Sequence, residues 1–216
     1  MQTAKTASLL AAITAVVFFL LLAFVHLHGI SQQYFEMVHS PEKYTEEITE
    51  HHAALNIIFV ADNIFIICYT AMAFFTIQVL RNKAASFVSM AACIAIAAVG
   101  FLDFLENFHI YVMMQQARSG VAVTTHDIQW QSTESMLKWH LAYFTFFMLA
   151  FLLPADNLES KLLKYSVWFW FVPTGVLVYA TVDSSYAGLF QWIRFFNLLS
   201  GFVLIFFIMR KISRAS

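Results

Sequence analysis

Several ionisable or amide side chains interrupt long apolar stretches of this chain: Asp62 with Asn63, Asp103 with Glu106, Asn107 and His109, Lys138 with His140, and Arg194 with Asn197. Ionisable groups within apolar spanning segments are expensive, so each is a functional candidate by default. Their types point to two chemistries. Carboxylates beside histidines supply ligands for a divalent ion; three N/O ligands and a water make a catalytic zinc site, whose bound water ionises near neutral pH. Left without an ion, crowded carboxylates hold protons instead, which is the chemistry of proton- or cation-coupled transport.

The run Glu106-Asn107-Phe108-His109 is an E-x-x-H. Di-iron helix bundles use that spacing twice. Here a second copy is absent, so one divalent ion is the simpler expectation, with zinc favoured over iron. The candidate ligands are Glu106, His109, His51 and His140, with Asp62 and Asp103 as acid or base. Arg194 would orient an anionic head group or a developing negative charge. Asn107, Tyr69, Asn197 and Trp192 would line a substrate. A haem held by His26 or His28 with His109 or His140 ranks behind zinc, since little beyond Gly29 and Gly100 makes room for the macrocycle. No G-x-S-x-G is present, and Ser184 and Ser185 beside Asp183 read as a turn.

Helical spacing sharpens the cluster. At about 100° per residue, Asp103, Glu106, Asn107 and Ile110 share a face, with His109 on its shoulder. Asp62 shares a face with Ile66 and Tyr69, with His51 at the mouth. Gln191, Arg194, Asn197 and Gly201 form a stripe. Lys138 and His140 diverge, so one of them enters the cluster. Glu134 stands four residues before Lys138, a spacing at which the two would pair. If ionised, Asp62, Asp103 and Glu106 outnumber Arg194 and Lys138, so a carboxyl keeps its proton or a cation binds.

These residues must be positioned by membrane helices. The chain of 216 residues is 61% hydrophobic and 12% charged, against roughly 45–50% and about 25% in a soluble domain. That excludes a disordered chain and a disulfide scaffold, and the net charge of −1 gives no reason to expect a nucleic-acid partner. Six apolar runs approach the roughly 20 residues a span needs: residues 8–30, 53–80, 84–114, 136–153, 165–181 and 189–209. Such runs must be helices, because hydrocarbon offers the backbone no other partner. The expected fold is therefore an all-α integral membrane protein, a single six-helix bundle over residues 1–216. The bilayer is its first partner, and a homo-oligomer is compatible with it. The first run is too long for a signal h-region and reads as a retained helix.

Lys5, Arg81, Lys83, Lys161, Lys164, Arg210, Lys211 and Arg214 fall on one side of this topology; Lys43 and Arg118 fall on the other. The positive-inside rule then puts both termini in the cytoplasm, in a plasma or inner membrane. Loops 31–52 and 115–135 face outward, the first of them acidic. Asp62, nine residues from the start of its run, lies roughly 13 Å below the outer surface, and the other polar residues converge on the same half. Pro173 falls inside the fifth helix and should kink it. Ala85, Ser89, Cys93 and Ala97 form a small-residue packing stripe on the third. The leading functional expectation is a membrane-embedded, metal-assisted hydrolase acting on a lipid-like substrate from the outer leaflet. The alternatives are a proton- or cation-coupled transporter or channel using the same acids, and a structural or accessory subunit.

Overall fold

The computed structural model describes residues 1–30, 32–81, 86–154, 157–181, 184 and 186–215. Among the described residues every regular element is helical. In chain order these are α1 (Gln2–His28), α2 (Gln32–Phe35), α3 (Pro41–Glu50), α4 (His52–Leu80), α5 (Ser86–Arg118), α6 (Thr125–Leu152), α7 (Leu158–Ser166), a π turn over Val167–Phe171, α8 (Val172–Ala180) and α9 (Ala187–Ala215). Six stretches are long and apolar enough to cross a membrane: α1, α4, α5, α6, the α7–π–α8 stretch and α9. The protein is an integral, multi-pass helical membrane protein.

The largest departure from the sequence expectation is α6. Its apolar run begins at Met136, but the helix begins at Thr125. Thr124 and Asp127 form a reciprocal cap: the Thr124 amide donates to Asp127 Oδ2 at 3.1 Å, and the Asp127 amide donates to Thr124 Oγ1 at 3.2 Å. Such a capping box satisfies donors that a helix start leaves open. It nucleates a turn that hydropathy alone does not register. The expected loop 115–135 shrinks accordingly. At its other end, Gly120 (φ 80°) closes α5: its amide reaches the Ala117 carbonyl, and the Val121 amide reaches that of Gln116. This is a Schellman closure, which needs the left-handed conformation glycine adopts without strain.

Loop 31–52 also holds structure. Ser40 caps α3 and Pro41 occupies its first turn, the position where a missing N–H costs nothing. α3 buries Tyr44 and Ile48 and carries Glu42, Glu46 and Glu50 on its other side. In the fifth span the helix widens to a π turn immediately before Pro173, whose ring leaves a carbonyl one turn earlier without its amide donor. Thr174 Oγ1 donates to the Trp170 carbonyl there.

The described chain packs as two compact units. The first comprises residues 17–67 and 100–138. Phe18 stacks on Phe65 at 5.0 Å, Phe35 meets Tyr44 edge-on, and Leu55, Ile58, Ile110 and Met114 are buried. The second comprises residues 1–16, 68–99 and 139–216. There Ala4, Ala7 and Ala11 give α1 a small-residue face, and Ser8 Oγ donates to the Phe206 carbonyl at 3.3 Å. Phe171 receives both Tyr143 and Phe146 edge-on. The buried face of α5 in this unit is Ser89, Ala92, Ile96 and Val99. This differs from the expected stripe: Cys93 is half-buried, Ala97 is exposed, and Ala85 lies outside the described residues. Asp183 and Ser185 of the expected turn also lie outside them. Large apolar side chains such as Ile57, Val60, Ile64, Phe101 and Phe108 remain exposed, as lipid contact requires.

Candidate functional site

The polar side chains of α5 and α6 meet within the 17–67 and 100–138 unit. On α5, Asp103, Glu106, Asn107 and Ile110 are all buried, as one helix face predicts. On α6 the capped extension adds Gln131, Glu134 and Ser135 to Lys138, a set with the same spacing as the α5 face, so that all four share a face. Lys138 Nζ lies 2.9 Å from Asp103 Oδ1, 2.9 Å from Glu106 Oε1 and 3.4 Å from Glu36 Oε1. All four residues are buried. Ser135 Oγ donates to the other Glu106 oxygen at 2.7 Å, and Gln131 donates to Ser135 at 2.9 Å. Gln33 Nε2 donates to Glu36 Oε2 at 3.1 Å. One ammonium therefore serves three carboxylates, each with further donors or a further charge close by.

A second branch runs through Asn107. Its amide nitrogen donates to Asp62 Oδ2 at 2.8 Å and to Asn63 Oδ1 at 3.0 Å, and its oxygen accepts from Gln32. The third branch lies one turn further along α5. His109 Nδ1 donates to Glu134 Oε2 at 2.6 Å. His109 also lines a surface cleft of about 280 Å³ with Gln116, His126, Asp127 and Trp130. Beside the cluster, the Tyr44 hydroxyl donates to the Phe35 carbonyl at 3.4 Å. Burial, with the Glu106 charge as the next cause, holds its pKa well above the usual phenol value.

Comparison of the chain with protein-family models, with curated proteins and with solved structures finds no match. The site is thus read from its own geometry.

The other expected site residues lie elsewhere. His51 closes α3 and faces Glu47 at 3.5 Å. His140, the residue that diverges from Lys138, packs against Tyr143 and Tyr179 in the second unit. Tyr69 is buried in that unit, and Trp192 is exposed. Asn197 accepts from Ser166 Oγ at 2.7 Å and lines a small cavity with Gly201. Arg194, expected as a counter-charge to the acids, belongs to the second unit and donates to the Tyr143 hydroxyl; the cation on the acids is Lys138. Glu134, expected to pair with Lys138, closes on His109. The four expected metal ligands thus have separate partners, and among the described residues no group of three His, Cys, Asp or Glu is arranged to hold a metal ion.

Sequence reasoning missed Glu36 and gave no role to Gln131 and Ser135. For the α6 residues a signal existed: Thr124-Thr125-His126-Asp127 is a capping pattern, and Gln131, Ser135 and Lys138 recur at helical spacing. Glu36 carried none, because its side chain is brought in by a tertiary fold-back of loop 31–52.

Proposed function

We propose that this is a proton-handling membrane protein, a small proton-coupled transporter or channel whose exchangeable site is the carboxylate set Glu36, Asp103 and Glu106 around Lys138. The observation that carries this reading is three buried carboxylates sharing one ammonium. One ion pair balances one of them. Two more charges in a poorly solvated place cost several kcal/mol each unless neutralised, and a proton is the smallest neutralising partner. Asp62, held by Asn107, adds a fourth acid within the same unit.

The His109–Glu134 pair supports the same reading. Its cleft opens to solvent, and Glu134 neighbours Ser135, which donates to Glu106. The pair therefore offers a proton a stepping point between the cleft and the buried acids. On the topology expected from Lys and Arg, this cleft faces away from the cytoplasm. The metal-assisted hydrolase is the weaker reading, because Asp103 and Glu106 are engaged by Lys138, and His109 by Glu134.

The test is proton flux into proteoliposomes carrying an internal pH dye, driven by a potassium diffusion potential. Wild type should acidify the lumen faster than empty vesicles. Glu106→Gln removes one titratable relay group and should lower that flux about tenfold, a barrier increase of roughly 1.4 kcal/mol. Flux equal to that of empty vesicles, from protein with native helicity, would overturn the proposal.

A further inference from the structure

The second unit buries a guanidinium in a manner that prepares it for a ligand. Arg194 stands on α9, seven residues from the helix start, or roughly 10 Å along its axis. Its side chain is fully buried. The Arg194 Cζ lies 3.7 Å from the Trp139 ring centroid, and Phe195 lies 5.2 Å away. Nη1 donates to the Tyr143 hydroxyl at 3.2 Å. Tyr143 is itself fixed, because Gly175 leaves room for its ring: a Cβ there would stand 2.2 Å from Tyr143 Cζ.

Among the described residues, the remaining donors, Nε and Nη2, have no hydrogen-bond partner. Among the described residues no carboxylate oxygen lies within ion-pair distance of Arg194. Nε and Nη2 are the two nitrogens on one edge of the guanidinium, and their N–H bonds run parallel. That edge matches two oxygens of a carboxylate or phosphate, whereas an ammonium offers no such fork. An arginine stays charged in a protein, so burial cannot be relieved by losing the proton. The ring stack and the tyrosine hold the plane and one end of the group, and among the described residues neither of them nor any other group satisfies this edge.

We propose that Arg194, held by Trp139 and Tyr143, is a binding site for an oxyanion presenting two oxygens, a carboxylate or a phosphate. The inference is independent of the proton-handling reading, since it uses residues of the other unit. The chemistry is shared by a soluble anion and a phospholipid head group, and the test separates them.

Full-length protein in a phosphate-free maltoside detergent would be titrated with sodium acetate, with sodium phosphate, and with phosphatidylglycerol. Sodium chloride at matched ionic strength is the reference. Tryptophan fluorescence and thermal stability are the readouts. The expected result is a saturable rise in stability with at least one probe, with affinity weakened about tenfold or more in Arg194→Lys, a loss equivalent to one good hydrogen bond. Arg194→Met should not respond. Trp139→Phe should lose most of the fluorescence change and keep the stability shift. Response to acetate or phosphate alone assigns a soluble anion; response to phosphatidylglycerol alone assigns the lipid. Arg194→Lys retains the charge and keeps the test decisive if Arg194→Met does not fold. Wild type without a saturable response, or Arg194→Lys responding as wild type, would overturn the proposal.

Discussion

Residues 17–67 and 100–138 hold ten of the thirteen acidic side chains, seven of the eight histidines and three of the twelve Lys and Arg; the other unit holds three acids, one histidine and nine bases. Both units bury charge in spans meant for hydrocarbon, and they do so differently. In the first, four carboxylates are held by an ammonium, a serine and two amide side chains. In the second, one guanidinium is held by ring faces and a phenol. A carboxylate changes charge by taking a proton, so a crowded set of them is adjustable. A guanidinium does not, so it stays a fixed charge that seeks a fixed partner.

The comparison breaks most visibly at Lys138. Lys138→Met leaves three buried carboxylates without their cation and should destabilise the protein by about 3–5 kcal/mol, a melting shift on the order of 10 °C for a chain of this length. Adding Glu106→Gln should recover part of that loss, because neutralising one acid relieves the repulsion the first change exposed. Thermal melts of both variants in one detergent test this. Full additivity would show that Lys138 and Glu106 do not act as a set.

Gly175→Ala is the corresponding probe of the second unit. The added methyl would sit inside the Tyr143 ring contact, an overpacking cost of about 1–3 kcal/mol. Tyr143→Leu in the same background should restore much of it. Near-ultraviolet circular dichroism should show Trp139 disturbed in the single variant and partly recovered in the double. An unchanged melt in Gly175→Ala would contradict the fixed position given to Tyr143.

His109→Gln should change stability by less than about 1 kcal/mol, since His109 is part-exposed at the cleft and a glutamine amide can still donate to Glu134. Its effect on proton flux should be larger than its effect on stability. Equal flux in wild type and His109→Gln would remove the cleft from the proton route while leaving the buried acids untouched.

The smallest expected effect is at His39. Its ring stacks on Tyr34 at 4.0 Å and bonds the Tyr34 carbonyl at 3.0 Å. Burial lowers its pKa from 6.5. The unfolded chain therefore binds more protons between the lowered value and 6.5, so stability rises with pH across that window. The contribution is complete above about pH 6.5 and is lost as pH falls through the lowered folded value. His39→Gln should show a slightly smaller drop in melting temperature between neutral and mildly acidic pH than wild type does. A larger drop would reverse the sign assigned to this residue.

Much of this was legible in the residues. Length and hydropathy are enough to find six spans, because a spanning helix has no cheaper alternative in lipid. The shared face of Asp103, Glu106 and Asn107 follows from helical spacing, and their burial agrees with it. What hydropathy does not register is the polar first part of α6, where a Thr124–Asp127 cap starts the helix eleven residues early and adds Ser135 and Glu134. Nor does spacing show which cation meets which acid. Lys138 and Arg194 looked interchangeable, and their separation depends on tertiary packing. Glu36 was invisible for the same reason, being delivered by a fold-back of the loop between α1 and α4.

Proton handling requires the buried carboxylates to exchange protons while the fold stays intact. Infrared difference spectra of nanodisc-embedded protein, stepped through pH, report it most directly. Protonated-carboxyl bands should appear and vanish reversibly in wild type and lose intensity in Glu106→Gln and Asp103→Asn. Bands absent at every pH the fold survives, or identical in wild type and both variants, would contradict proton exchange at these carboxylates.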